Sequence, residues 1–120
     1  LSLGALQACD IGFGHPELFG SMGFLTSIFE HENYENATGR PWKKAMEDPE
    51  KIRKDYRLIF CSATPQEDHF PYFLNDAKIM EEAGLDKTME GYVRIAHDVR
   101  LTRWNSWRLG FMQMAKRLFK

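Results

Sequence analysis

One hundred and twenty residues allow one domain at most. Hydrophobic residues at 43% and aromatics at 13% are globular values, and no apolar run reaches the roughly 18 residues a membrane span needs. Sixteen basic residues against 17 acidic ones give a net charge of −1, without the basic excess of a general nucleic-acid binder.

The chain opens Leu1-Ser2-Leu3-Gly4, and residues 3–14 read as a helix. Leu3, Ala5, Leu6, Ala8, Cys9, Ile11 and Phe13 are broken only by Gln7 and Asp10, so the helix should be buried on most sides. Gly12 and Gly14 weaken its end and His15-Pro16 stops it. Residues 20–25 form a short apolar run with glycines, the pattern of a buried strand. Residues 30–48 are polar and broken by Asn33, Asn36, Gly39 and Pro41, which suggests a surface excursion carrying a short helix near 41–46. Pro49 suits the first turn of a helix through Asp55.

Residues 56–62 are the clearest strand, running into a loop at Thr64-Pro65. Phe73, Leu74, Ala77, Met80 and Ala83 restore helical spacing, and Gly84 fits the position after that helix. Residues 90–95 alternate with period two. Trp104, Trp107, Leu109, Phe111, Met114, Leu118 and Phe119 then mark a C-terminal amphipathic helix, with the two tryptophans read as core packing. Strands alternating with helices imply βαβ units, hence an α/β fold with a three-stranded parallel sheet and flanking helices. Three buried parallel strands leave a sheet edge uncovered. A second half of the domain, or self-association, is therefore expected to supply the cover.

Cys9 and Cys61 have no metal-ligand spacing and read as small buried residues, with pairing left open. No metal or cofactor is expected. Arg94, Arg100, Arg103 and Arg108 are interleaved with apolar residues, which fits a solvated face or local ion pairs better than a nucleic-acid surface.

Ligand-facing groups of parallel sheets collect beyond the C-terminal strand ends. Ser2 opens the first helix, Glu67 and Asp68 follow the second strand, and His97 follows the third. A serine hydroxyl, an imidazole to take its proton and a carboxylate to orient the imidazole make a nucleophilic site. The order serine, acid, histidine is that of α/β-hydrolases, whose nucleophile sits in G-x-S-x-G. Leu1-Ser2-Leu3-Gly4 matches the last four positions of that motif. Each residue also has an ordinary reading: a histidine after a strand is usually a loop residue, and Glu67-Asp68 suits a helix N-terminus. His69 is the rival base, but it directly adjoins the acid and would not easily reach across to Ser2.

L-S-L-G with its small-residue helix, H-P-E-L-F-G before a strand, L-I-F-C-S-A-T-P-Q-E-D before a helix, and A-H-D followed by W-N-S-W-R carry a resemblance. The chain resembles the C-terminal half of the α/β-hydrolase group that includes esterase D, enterochelin esterase, S-formylglutathione hydrolase and the feruloyl and acetylxylan carbohydrate esterases. The resemblance implies a partial α/β-hydrolase domain over residues 1–120 that cleaves carboxylic esters, of carbohydrates or aryl acids, through an acyl-enzyme. It implies Ser2 as nucleophile, Asp68 as the acid, His97 as general base and the Leu3 N–H as one oxyanion donor. The second donor would lie in a preceding half, so the 120 residues alone are expected to be inactive. Tyr34 and Trp42 in the excursion would line the substrate site. Ala5 departs from the group, which usually has a second glycine there, and Val99 to Arg103 lengthen the link to Trp104. The alternatives are an inactive binding or assembly module of the same fold and, last, a flavodoxin-like domain, which would need a phosphate-binding glycine turn that the sequence lacks.

Overall fold

The computed structural model describes residues 1–32, 40–86, 88–98 and 100–119. Its elements in chain order are α1 (Leu3–Gly14), β1 (Ser21–Leu25), α2 (Pro41–Met46), α3 (Pro49–Asp55), β2 (Leu58–Ala63), α4 (Phe70–Glu82), β3 (Tyr92–Ala96) and α5 (Arg103–Leu118). The three strands are parallel, in the order β1-β2-β3. Phe24 pairs with Cys61, and Ser62 with Ile95. The α/β reading and the parallel sheet with flanking helices therefore hold.

Strand alternation sends Met22, Phe24, Ile59, Cys61 and Ala63 to one face, where Ala5, Cys9 and Phe13 of α1 join one buried cluster with Phe73 and Met80 of α4. Phe13, Phe24 and Phe29 meet edge to face, an arrangement that adds about 0.5–1.5 kcal/mol per pair beyond the area buried. Cys9 and Cys61 are both free thiols in this layer, and burial pushes the Cys61 thiol up to about 12. The central strand is buried along its whole length, as its continuous apolar run requires.

Helix ends follow local chemistry. Asp48 caps α3 by accepting from the Lys51 N–H at 3.0 Å, with Pro49 next. α4 ends in a Schellman motif. Leu85 N–H donates to Met80 C=O, Gly84 N–H donates to Glu81 C=O, and Gly84 takes φ 81°.

Three expectations change. α1 is apolar all round but not enclosed, since Leu3 and Ile11 face outward. In the segment read as a surface excursion the expected short helix forms as α2, but its Trp42 belongs to the core rather than the surface. α5 fully buries small residues, and of its large ones Trp107 and Met114 are half-buried. Ser106 and Gly110 are its buried positions, while Trp104 is 72% exposed and Phe111 and Met112 also face outward. A Cβ on Gly110 would stand 2.5 Å from Ser62 Oγ and 3.0 Å from Leu25 Cδ2, so the helix axis lies too close to the sheet for any larger residue there.

Candidate functional site

Ser2 occupies the N-cap of α1, where serine usually serves by accepting a backbone N–H. Here it makes no side-chain cap, and its backbone stands at φ 52°, ψ −126°. That conformation is sparsely populated for L-residues, costs on the order of 1–3 kcal/mol, and persists only where the surroundings enforce it. One tie is its own N–H, which donates to Leu25 C=O at the C-terminal end of β1 at 3.2 Å. The Leu3 N–H is the first of α1, a donor the helix itself cannot satisfy.

The residues after the other strands gather at the same sheet end. Thr26 follows β1 with φ 59°, rare for a β-branched residue, and its N–H donates to Ser62 C=O at 2.8 Å. His97 follows β3, and its N–H donates to Ala63 C=O at 2.8 Å. The His97 side chain lies on the α5 face, 6% exposed. Its Nε2 is wholly buried without a hydrogen-bond partner, 3.4 Å from where a Cβ on Gly110 would sit. Burial pushes the imidazole below its ordinary pKa, and the Glu67 carboxylate pulls the other way.

The carboxylate of this cluster is Glu67, not Asp68. Glu67 is 4% exposed. Its Oε1 accepts from Thr26 Oγ1 and, at 2.7 Å, from Trp107 Nε1. Its Oε2 accepts from the Thr64 N–H at 2.9 Å. Asp68 points outward, its side chain 83% exposed and paired at 2.8 Å with Arg103 at the start of α5. Adjacent residues of one turn point apart, and here the turn buries the first of the two. Asp98 is likewise outside, bound to Arg100, which holds its carboxyl below the usual range.

The two expected substrate residues differ. Tyr34 lies outside the described residues. Trp42 is 5% exposed and packs 6.4 Å from the Phe29 ring, so it offers no open face to a ligand. A cluster of partly exposed rings forms elsewhere, between the segment after β1 and the start of α4. His31 after β1 stacks on Tyr72 of α4 at 4.7 Å, and His69 meets both rings.

Sequence reading offered Glu67 beside Asp68 but chose Asp68, took Trp107 for core packing, and missed Thr26 and Gly110. A signal favouring Glu67 over Asp68 existed. Thr64-x-x-Glu67 is a capping-box spacing, and the Glu67 side chain does reach back to the Thr64 N–H. Among the described residues, no cluster of three or more His, Cys, Asp or Glu could hold a metal ion, and no helix is long and apolar enough to cross a membrane. Compared with protein families and with curated proteins, the chain matches none.

Proposed function

We propose that this chain carries the nucleophile and base of a serine hydrolase of the α/β-hydrolase type, acting on carboxylic esters. The observation that carries the reading is the backbone of Ser2. A serine on a strained turn at the head of a helix, beside the carboxyl end of a parallel strand, is the arrangement that exposes a nucleophilic Oγ. The order Ser2, acid, His97 supports it, as does the resemblance to the esterase group.

In this reading Ser2 Oγ attacks the ester carbonyl and its proton passes to His97. The Leu3 N–H meets the oxygen of the tetrahedral intermediate. His97 returns the proton to the leaving alcohol, and water then releases the acid from the acyl-enzyme. His97 Nε2 makes no bond to Ser2 as it stands. Turnover therefore requires the ring to turn toward the head of α1. A buried nitrogen without a partner costs about 1–3 kcal/mol, which offsets part of the cost of that movement.

A second reading, an inactive module of the same fold, draws on the same unbonded nitrogen. A fluorophosphonate probe decides between them. Under the first reading the adduct forms on Ser2 and is lost in Ser2→Ala, together with hydrolysis of p-nitrophenyl acetate. No adduct, or one on another serine that Ser2→Ala leaves intact, rules it out.

A further inference from the structure

We propose that the cavity at the amino-terminal ends of β2 and β3 is a second site, which binds the phosphate group of a small phosphate ester with an apolar or aryl body. It lies at the end of the sheet opposite Ser2 and His97.

The cavity measures about 630 Å³, and Arg53, Arg57 and Arg117 all line it. That volume is within the range of small-molecule sites. Arg53 and Arg57 flank the turn from α3 into β2, and Arg117 stands in the last turn of α5. Against three guanidinium groups the wall holds one carboxylate, Glu90. Glu50 approaches Arg53 Nε at 3.4 Å from solvent, its side chain 85% exposed. Among the described residues Arg57 and Arg117 form no ion pair. The chain as a whole carries a net charge of −1, so this positive charge is local. A hollow walled by one sign of charge focuses its field and gathers the opposite ion.

Main-chain carbonyls hold these side chains in place. Arg57 Nη2 donates to Leu118 C=O at 3.0 Å, which fastens the approach to β2 onto the residue beside Arg117. Arg117 Nη1 donates to Gln113 C=O at 2.7 Å, and its guanidinium carbon stands 6.0 Å from the Phe60 ring centre. Arg53 Nη2 donates to Gly84 C=O at 2.5 Å. A guanidinium carries five N–H donors, so each retains donors for a ligand. A phosphate ester, with three acceptor oxygens and close to two negative charges, matches Arg57 and Arg117 together. A carboxylate, with one charge, balances only one of them. Leu58, Met89 and Val93 make the apolar part of the wall, which suits the body of the ester.

The plain alternative is that the arginines serve only the carboxyl end of α5, where cations are favoured. Ligand binding separates the two. Calorimetric titration with phenyl phosphate should be saturable, and the amide resonances of Thr88, Gly91 and Val93 should move with it while those of Ser2 and Leu3 stay. Benzoate keeps the ring with one charge, and inorganic phosphate lacks the apolar body. Each should bind at least about tenfold more weakly than phenyl phosphate. Arg117→Gln should weaken phenyl phosphate by about tenfold or more, the scale of one charge-assisted hydrogen bond. Arg108→Gln, at an exposed position of α5 outside the cavity, should leave the affinity unchanged. Arg57→Gln should match Arg117→Gln. Should it fail to fold, because Arg57 also ties β2 to α5, Arg117→Gln and the resonance map decide. The absence of saturable binding overturns the proposal, as does binding that Arg117→Gln leaves intact. Resonance changes confined to Ser2 and Leu3 overturn it too, as does benzoate or inorganic phosphate binding as tightly as phenyl phosphate. The site does not use Ser2, so Ser2→Ala should bind phenyl phosphate as the wild type does, whatever the outcome of the fluorophosphonate reaction.

Discussion

The N–H of Ser2 donates to the carbonyl of Leu25 at 3.2 Å, fastening the head of α1 to the carboxyl end of β1. This bond helps hold Ser2 at φ 52°, ψ −126°. Glycine enters that region without a Cβ penalty, whereas alanine does not. Ser2→Gly should therefore be more stable than Ser2→Ala by about 1 kcal/mol, near the low end of the cost of such backbone strain. Urea unfolding of the two variants measures the difference. Equal stabilities would mean that the turn is relaxed and the hydroxyl is held by nothing more than a helix start.

Asp76 sits fully buried on α4 and clamps the segment after β1, accepting from Ser27 Oγ at 2.5 Å and from the Phe29 N–H at 2.9 Å. Burial raises its carboxyl to about 7, against the opposing pull of those two bonds and of Arg94. The unfolded chain releases this proton near pH 3.9. Between about 4 and 7 the folded state therefore holds the extra proton, and stability falls as pH rises through that window. His97 acts with the opposite sign below about 6.5, because its folded pKa is lowered. Asp76→Asn keeps an acceptor for Phe29 and a donor for Ser27 while removing the titration. Relative to wild type it should gain on the order of 1–3 kcal/mol between pH 4.5 and 7.5. Unfolding curves that stay parallel at the two pH values would show that Asp76 does not titrate there.

The fold was legible because its elements are strongly patterned. The mainly apolar run within 56–62 reads as a covered strand and forms β2, and Pro41, Pro49 and Gly84 punctuate where proline and glycine chemistry says they should. The site was legible in its order but not in its side-chain directions. Ser2 and His97 flank strand ends, which spacing reveals. Glu67 and Asp68 are chemically interchangeable in sequence, and only the turn from Thr64 decides which is buried. The left-handed backbone of Thr26 leaves no trace in composition. α5 misled for a related reason. Its large apolar residues suggested a buried stripe, yet its fully buried positions are Ser106 and Gly110, while Trp107 and Met114 are only half-buried and Trp104, Phe111 and Met112 face outward.

Trp107 and Trp104 look equivalent in sequence and differ in the structure. The Trp107 Nε1–H is shared between Thr26 Oγ1 and Glu67 Oε1, each at 2.7 Å. Trp104 is 72% exposed. Trp107→Phe should lose about 1.5–3 kcal/mol, the range for a hydrogen bond to a charged group. Trp104→Phe should stay within about 0.5 kcal/mol of wild type. Chemical denaturation of both variants tests this. A mild Trp107→Phe would show that Thr26 and Thr64 hold Glu67 without help from α5.

Gly110 sets how near α5 can approach the site. A Cβ added there meets Ser62 Oγ at 2.5 Å, Leu25 Cδ2 at 3.0 Å and His97 Nε2 at 3.4 Å. The first of these contacts cannot be absorbed without movement, because Ser62 lies on the central strand, 1% exposed. Gly110→Ala gains helix propensity of about 1 kcal/mol, yet overpacking of this kind costs about 1–3 kcal/mol. The net should be a loss. Ser62→Ala removes the Oγ that the new methyl strikes. The double variant Gly110→Ala/Ser62→Ala should then recover at least half of what Gly110→Ala loses, a coupling in the range seen for residues in contact, about 0.5–3 kcal/mol. The His97 resonance reports the second consequence, since a displaced α5 carries Trp107 and so disturbs the donor set on Glu67. Additive single effects, or a Gly110→Ala variant more stable than wild type, would show that the helix has room to retreat and that the close approach is not imposed by the sheet.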